Sequence, residues 1–157
     1  EYSGVALGSD GEPVCVDSSM NMTSADVKKK LLELMPLIKE RLHFLTDAAE
    51  MVRFMFTEPA VPAKSEIIPK KLDEAKTKEV LEKAKSFVSE IFGMSHDDAE
   101  ALAKKYAEEL GIKLGDFMMP VRMAVTGSRI SPPLIGSIWI LGKEKACERV
   151  EKTLAAF

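Results

Sequence analysis

The sequence predicts an all-α protein built as two helical lobes, and three observations predict it. Apolar residues recur at three- and four-residue steps over most of the 157-residue chain, the spacing of one helix face. Prolines, glycines and small polar capping residues punctuate these stretches where helices start and stop. No alternation of apolar and polar residues persists long enough to mark a half-buried strand. Nine methionines against 6% aromatic residues agree with helices, whose cores favour Leu, Met, Ala and Ile.

In chain order, residues 1–22 are rich in Gly, Ser, Asp and Asn. They hold no sustained period and read as a linker or arm, partly extended around Val14–Val16. Thr23 or Ser24 can cap a helix, with Asp26 favouring its first turn. Leu31, Leu34, Met35, Ile38, Leu42 and Leu45 then form one apolar face, and Pro36 inside it is expected to kink or divide the helix. Thr46 and Asp47 offer a fresh cap for a helix over Ala48–Phe56, whose core candidates are Met51, Val52, Met55 and Phe56. Pro59 and Pro62 end it.

Residues 57–69 read as a connector. Leu72, Val80, Leu81, Ala84, Phe87, Val88 and Ile91 build the next helical stretch, ending near Gly93. Ser95 with Asp98 three residues on resembles a capping box. Ala99, Leu102, Ala103, Tyr106 and Leu110 follow on one face, with Gly111 as the residue that ends the helix. Leu114–Val125 is expected as a short helix interrupted by Pro120, and Thr126-Gly127-Ser128 as a turn. Pro132 and Pro133 suit the first turn of a helix running to about Leu141. Gly142 breaks it, and Lys143–Ala155 closes the chain as an amphipathic helix on Ala146, Val150 and Leu154. The expected division is an arm over 1–22, a first lobe over 23–93 and a second lobe over 94–157.

The net charge of −3 hides a gradient. Residues 1–23 hold four acids and no bases, a net of −4; residues 24–57 hold six bases and five acids, a net of +1. Residues 58–98 hold seven bases and nine acids, a net of −2; residues 99–157 hold nine bases and seven acids, a net of +2. Any nucleic-acid contact on such a chain is local and specific, not a broad basic surface. Cys15 and Cys147 form no metal-type pair and no leader precedes them, which reads as a cytosolic protein with two free thiols. The longest apolar run, Ile130–Leu141, is too short to span a bilayer.

No catalytic constellation stands out. His43 and His96 read as surface or interfacial side chains, and a zinc site needs more ligands at proper spacing. There is no nucleophile elbow, Gly-rich phosphate loop or paired-histidine metalloprotease motif. The adjacent acids Asp97-Asp98 and Glu108-Glu109 read as solvent-facing.

Met119–Lys145 is the most informative stretch. It reads as helix, turn, proline-started helix, glycine break and helix. The turn is expected to expose the N–H groups of Gly127 and Ser128 together with Ser131, with Arg122 and Arg129 near it. An arginine fork both stacks on bases and donates in pairs, and the next helix N-terminus adds a positive dipole end. Two readings stand side by side: a corner that holds a splayed RNA base, or an Arg122 that pairs with a helix C-terminus beside prolines that only cap.

The same stretch carries a family pattern. Pro120-Val121-Arg122, Ala124, Thr126-Gly127, Ser131-Pro132, Leu134 and Leu141-Gly142-Lys143-Glu144 resemble the C-terminal signature of bacterial-type glutamyl-tRNA synthetases. Upstream, Leu37-Ile38-Lys39-Glu40-Arg41 leads through Leu45 and Glu50 to Arg53-Phe54-Met55-Phe56, similar to the paired helices of that family. Gly111-Ile112-Lys113-Leu114-Gly115 matches the step before its signature. The resemblance covers roughly residues 27–157.

The resemblance implies a two-lobed anticodon-binding body of the α-helix cage type, the C-terminal part of a ligase that attaches glutamate to tRNA(Glu). The expected partner is the anticodon loop of that tRNA, engaged by a cytoplasmic monomer without a membrane. ATP and Mg serve the catalytic domain, whose nucleotide-binding motifs are not in this sequence. No cofactor and no aminoacylation by this segment alone are therefore expected. By position, Arg41 matches the arginine that reads the third anticodon base, favouring C over G. Its donors suit O2 and N3 of cytosine, whereas guanine presents donors of its own on that edge. Arg122, Ser131, Pro132 and Leu134 match the positions that cradle the first two bases. His43-Phe44 and Trp139 depart from the pattern, and Trp139 reads as a core residue more readily than as a stacking platform. The rival reading is a helical protein-docking module of a synthetase complex, consistent with the near-neutral charge and the Met-rich helices.

Overall fold

The N-terminal segment is held in place by hydrogen bonds to residues far along the chain, which makes it part of the fold. In the computed structural model, which describes residues 4–39 and 45–157, strands β1 (Val5–Leu7) and β2 (Pro13–Cys15) pair antiparallel. Their register matches Val5 with Cys15 and Leu7 with Pro13. The loop between them closes through the Gly8 N–H on the Glu12 carbonyl at 2.8 Å. A 3-10 turn, Ser18–Met20, follows, capped by the Asp17 carboxylate, which accepts from the Ser19 N–H at 2.9 Å. The linker expected over residues 1–22 is thus a folded clasp from Val5 to Met20. Strands of three residues are too short to display a two-residue period, and the contacts that fix them lie forty residues away.

Helix α1 (Ser24–Ile38) begins in a reciprocal capping box of Thr23 and Asp26. It runs on through Pro36 to Ile38, so it is not divided at that proline. Pro36 stands in the last turn, where the missing N–H costs only one intrahelical bond. Val27, Leu34 and Ile38 are buried, but Met35, expected in the core, is half exposed at 50% and Leu32 is 67% exposed. Helix α2 spans Leu45–Phe56, three residues earlier than expected. It ends on a buried run of Phe54, Met55 and Phe56.

The chain divides into two compact units: Glu1–Pro59 with Ile130–Pro133, and Ala60–Arg129 with Leu134–Phe157. This boundary falls well before Gly93, where the apolar pattern suggested it. In the first unit, β2 packs on α1 and α1 on α2. The Cys15 thiol donates to the Phe56 carbonyl at 3.0 Å, and the Asp17 carboxylate accepts from the Glu58 N–H at 2.9 Å. Cys15, at the end of β2, thereby gives the Phe56 carbonyl one of the partners that a helix C-terminus lacks internally, and Asp17 holds the backbone just past that end.

The second unit holds α3 (Lys64–Ile67), α4 (Glu74–Glu90), α5 (His96–Glu109), α6 (Leu114–Thr126), α7 (Leu134–Leu141) and α8 (Lys143–Ala155). Helix α3 lies inside the expected connector; its Ile67 is fully buried. Helix α4 is capped by Asp73, and α5 by Ser95, whose hydroxyl accepts from the Asp98 N–H at 3.2 Å. Gly93 and Gly111 take positive φ at the ends of α4 and α5, conformations that strain any residue with a Cβ. Helix α6 is continuous through Pro120, contrary to the expected break. Its buried face of Phe117, Val121, Ala124 and Val125 holds it together across the missing bond, as packing overrides local propensity. Helices α4 and α8 pack together, α6 lies against α3, α4, α5 and α8, and α7 against α5 and α8. At the centre Phe87 meets Phe117 edge-on at 5.6 Å and Tyr106 at 6.5 Å.

Candidate nucleic-acid interface

The end of α6 is the best-defined part of the expected corner. Gly127 takes φ 67 and its N–H returns to the Met123 carbonyl at 2.9 Å, closing the helix in the left-handed geometry that favours glycine. The Thr126 hydroxyl lies 2.9 Å from the Arg122 carbonyl and 3.0 Å from the Ser128 carbonyl, its single proton serving one at a time. It also accepts from the Ser128 N–H at 3.2 Å. The N–H groups of Gly127 and Ser128 are therefore used inside the turn, and the expectation that they face outward for a base or phosphate is not met. A threonine one residue before the terminal glycine satisfies the turn locally, as Ser and Thr do at helix ends.

Arg122 projects from the last turns of α6 and is half-buried. Arg129 is exposed and donates to the Glu66 carbonyl of α3 at 3.1 Å, so it ties the segment after the turn to another helix of its own unit. Leu134 opens α7 and is only 3% exposed. These residues belong to the second unit. Ser131 and Pro132 group with the first unit and are both buried; the Ser131 hydroxyl donates to the Pro132 carbonyl at 3.0 Å. Ser131 is 2% exposed, in contrast to the open position expected of it. Pro132 and Pro133 precede α7, which starts at Leu134. Arg41 lies outside the described residues, as does His43.

One charged residue with a part in this region escaped the sequence reading. Arg149 of α8 is 2% exposed, and its guanidinium donates to the Val125 carbonyl at 2.9 Å. Its backbone carbonyl accepts from the Thr153 hydroxyl at 2.9 Å. The signal was present: position 149 falls on the same helical face as Ala146, Val150 and Thr153, all buried. A lone charge inside an apolar stripe marks a buried, partnered side chain.

Trp139 of α7 is half-buried; its indole N–H donates to the Ile91 carbonyl at 2.9 Å and its ring meets His96 edge-on at 6.2 Å. This indole fixes α7 to the end of α4 within the unit. The Tyr106 hydroxyl donates to Glu90 at 2.9 Å. Burial, followed by this bond to a carboxylate, pushes its pKa up to about 12. Among the described residues no group of three or more His, Cys, Asp or Glu side chains is placed to hold a metal ion, and no helix is long and apolar enough to cross a membrane.

The chain is similar to known proteins over most of its length. Over residues 15–154 the chain matches the family described as anticodon binding domain. It is 58% identical over 128 residues to a glutamate–tRNA ligase of Treponema denticola, covering 82% of this chain and 25% of that protein. It is 48% identical over 127 residues to the glutamate–tRNA ligase of Treponema pallidum, covering 81% and 24%. A solved glutamate tRNA ligase from Elizabethkingia meningosepticum, in complex with its amino acid, shares the fold with a TM-score of 0.66 at 24% identity, over 81% of this chain and 25% of that one. The chain thus spans about a quarter of the length of the curated relatives it matches. The family match runs from β2 to the last turn of α8 and takes in both compact units: this chain belongs to the anticodon binding domain family.

Proposed function

We propose that this chain recognises the anticodon loop of tRNA(Glu), as the anticodon-binding part of a glutamate–tRNA ligase. The observation that carries this reading is the family match over residues 15–154, reinforced by 58% identity to a ligase of that specificity. In this reading the ligase joins glutamate to its tRNA with ATP and Mg²⁺ in a catalytic part outside this segment, and the segment itself needs no cofactor. It works as a monomer in the cytoplasm.

Arg41 reads the third anticodon base, and Arg122 reaches the first two from the closed end of α6. In this reading Ser131, Pro132 and Leu134 cradle those bases beside Arg122, and the burial of Leu134 in the unit that also holds Arg122 supports a wall-forming part for it. A half-buried arginine on a satisfied helix end loses less freedom on binding than one on a mobile loop, which favours affinity. The modest charge of residues 99–157, a net of +2 from nine bases and seven acids, limits phosphate contacts, so affinity is moderate and falls with salt.

The test is fluorescence anisotropy of an RNA hairpin carrying a tRNA(Glu) anticodon, compared with one whose third anticodon base is changed from C to G. The chain is expected to bind the first about tenfold more tightly, a difference of one well-made polar contact. Arg41→Gln is expected to erase the difference. Equal binding of both hairpins by the unsubstituted chain, or recovery of a protein partner with no RNA binding, would overturn the reading.

A further inference from the structure

We infer that Arg149 is a positioning residue for anticodon recognition: buried on α8, it fixes the end of α6 and thereby the direction in which Arg122 is presented. The inference rests on the proposed function. Its physical basis is in the second unit alone.

Four carbonyls at the end of a helix have no partner within it. At the end of α6, the Met123 carbonyl accepts from the Gly127 N–H and the Val125 carbonyl accepts from the Arg149 guanidinium at 2.9 Å. One turn earlier the Arg122 carbonyl is reached by the Thr126 hydroxyl. The backbone from Arg122 to the end of α6 is thus held, by Thr126 locally and by Arg149 from another helix. Arg149 is 2% exposed, so its side chain does not itself lie on an RNA-facing surface.

A glycine with positive φ already ends α6, and glycine-ended helices close without a buried cation. Burying a guanidinium is costly, and an apolar side chain of similar volume often serves stability as well or better. What the guanidinium adds is direction. It is a planar donor held by α8, aimed at the negative end of the α6 dipole, which restrains α6 against rotation and fraying in its last turn. A recognition side chain gains its selectivity from such support, because a displacement of about 1 Å is enough to lose much of a directional contact.

The experiment uses two RNA hairpins, one with the tRNA(Glu) anticodon and one with the anticodon scrambled. Arg149→Met, Arg149→Gln and Arg122→Ala are measured beside the unsubstituted chain. Folding is checked by circular dichroism and Trp139 emission, and amide exchange is followed at Gly127. Arg149→Met and Arg149→Gln are expected to stay folded, to exchange the Gly127 amide about tenfold faster, and to lose about tenfold in affinity for the matched hairpin. Their affinity for the scrambled hairpin is expected to stay unchanged. An anticodon preference lost in Arg122→Ala but kept in a folded Arg149 variant overturns this inference and leaves the proposed function standing. No preference in the unsubstituted chain overturns both. Failure of both Arg149 variants to fold makes Arg149 a folding residue and overturns the positioning role.

Discussion

The thiol of Cys15 donates to the carbonyl of Phe56 at 3.0 Å, across 41 residues of chain. With the Asp17 carboxylate on the Glu58 N–H at 2.9 Å, it fastens the N-terminal hairpin to the end of α2. Cys15→Ala is expected to lower stability by about 1 kcal/mol. Asp17→Ala, which also removes the cap of the 3-10 turn, is expected to cost about 1–2 kcal/mol. Urea midpoints followed by far-ultraviolet circular dichroism measure both, and an unshifted midpoint in both variants would show that the hairpin is not fastened there.

Gly4 is a sharper test of the same clasp. It has φ +76, and a Cβ at this position would sit 2.5 Å from Thr57 Cγ2 and 3.0 Å from the Phe56 carbonyl oxygen. Backbone strain and overlap add, so Gly4→Ala is expected to cost about 1–3 kcal/mol. A double variant with Thr57→Ser, which removes the overlapping methyl, should recover part of the loss. No recovery would assign the whole cost to the backbone.

Tyr106 sets a pH dependence whose sign is fixed. Its phenol is held up at about 12, against the ordinary 10.0, by burial and by donation to Glu90. Between those values the unfolded chain has released a proton that the folded chain keeps, so stability falls as pH rises from about 10 to about 12. Below pH 10 the contribution is complete. Absorbance at alkaline pH follows the phenolate directly. The late-ionising phase is expected to vanish in Tyr106→Phe, and its survival there would assign it elsewhere.

Phe87 is fully buried and touches both Phe117 and Tyr106. Phe87→Ala is expected to cost about 3–5 kcal/mol through lost transfer energy and the cavity left behind. Phe87→Leu, which refills most of the volume, should cost much less. The chain has one tryptophan, Trp139, in this same unit, so its emission reports the transition. Equal midpoints for both variants would contradict a packed aromatic centre.

The helices were legible where a local signal determines them. Thr23 with Asp26 and Ser95 with Asp98 cap helices as read, and α8 occupies Lys143–Ala155 as its apolar spacing and Gly142 indicate. What misled were signals that packing overrides. Pro36 read as a kink or a division and Pro120 as an interruption, yet α1 and α6 continue through them. Met35 satisfied the helical spacing but faces outward, because spacing gives a stripe without saying how much of it is covered. The extended stretch around Val14 was legible and falls in β2, but its pairing was hidden since each strand has three residues and the anchors lie at Phe56 and Glu58. At the candidate site, Arg122 stood out by type and position. The use of the Gly127 and Ser128 N–H groups within their own turn, and the reach of Arg149 to Val125, depend on geometry that a linear pattern does not contain.

The first unit includes Ile130–Pro133, four residues taken from the middle of the stretch that forms the second. Severing the chain at Pro59 would therefore not yield two whole parts. The upstream piece would lack Ser131 and Pro132, and the downstream piece would carry them without the residues they group with. Gene fusion, truncation and exchange between relatives all meet the same constraint: a single cut at Pro59 leaves Ile130–Pro133 on the wrong side of it.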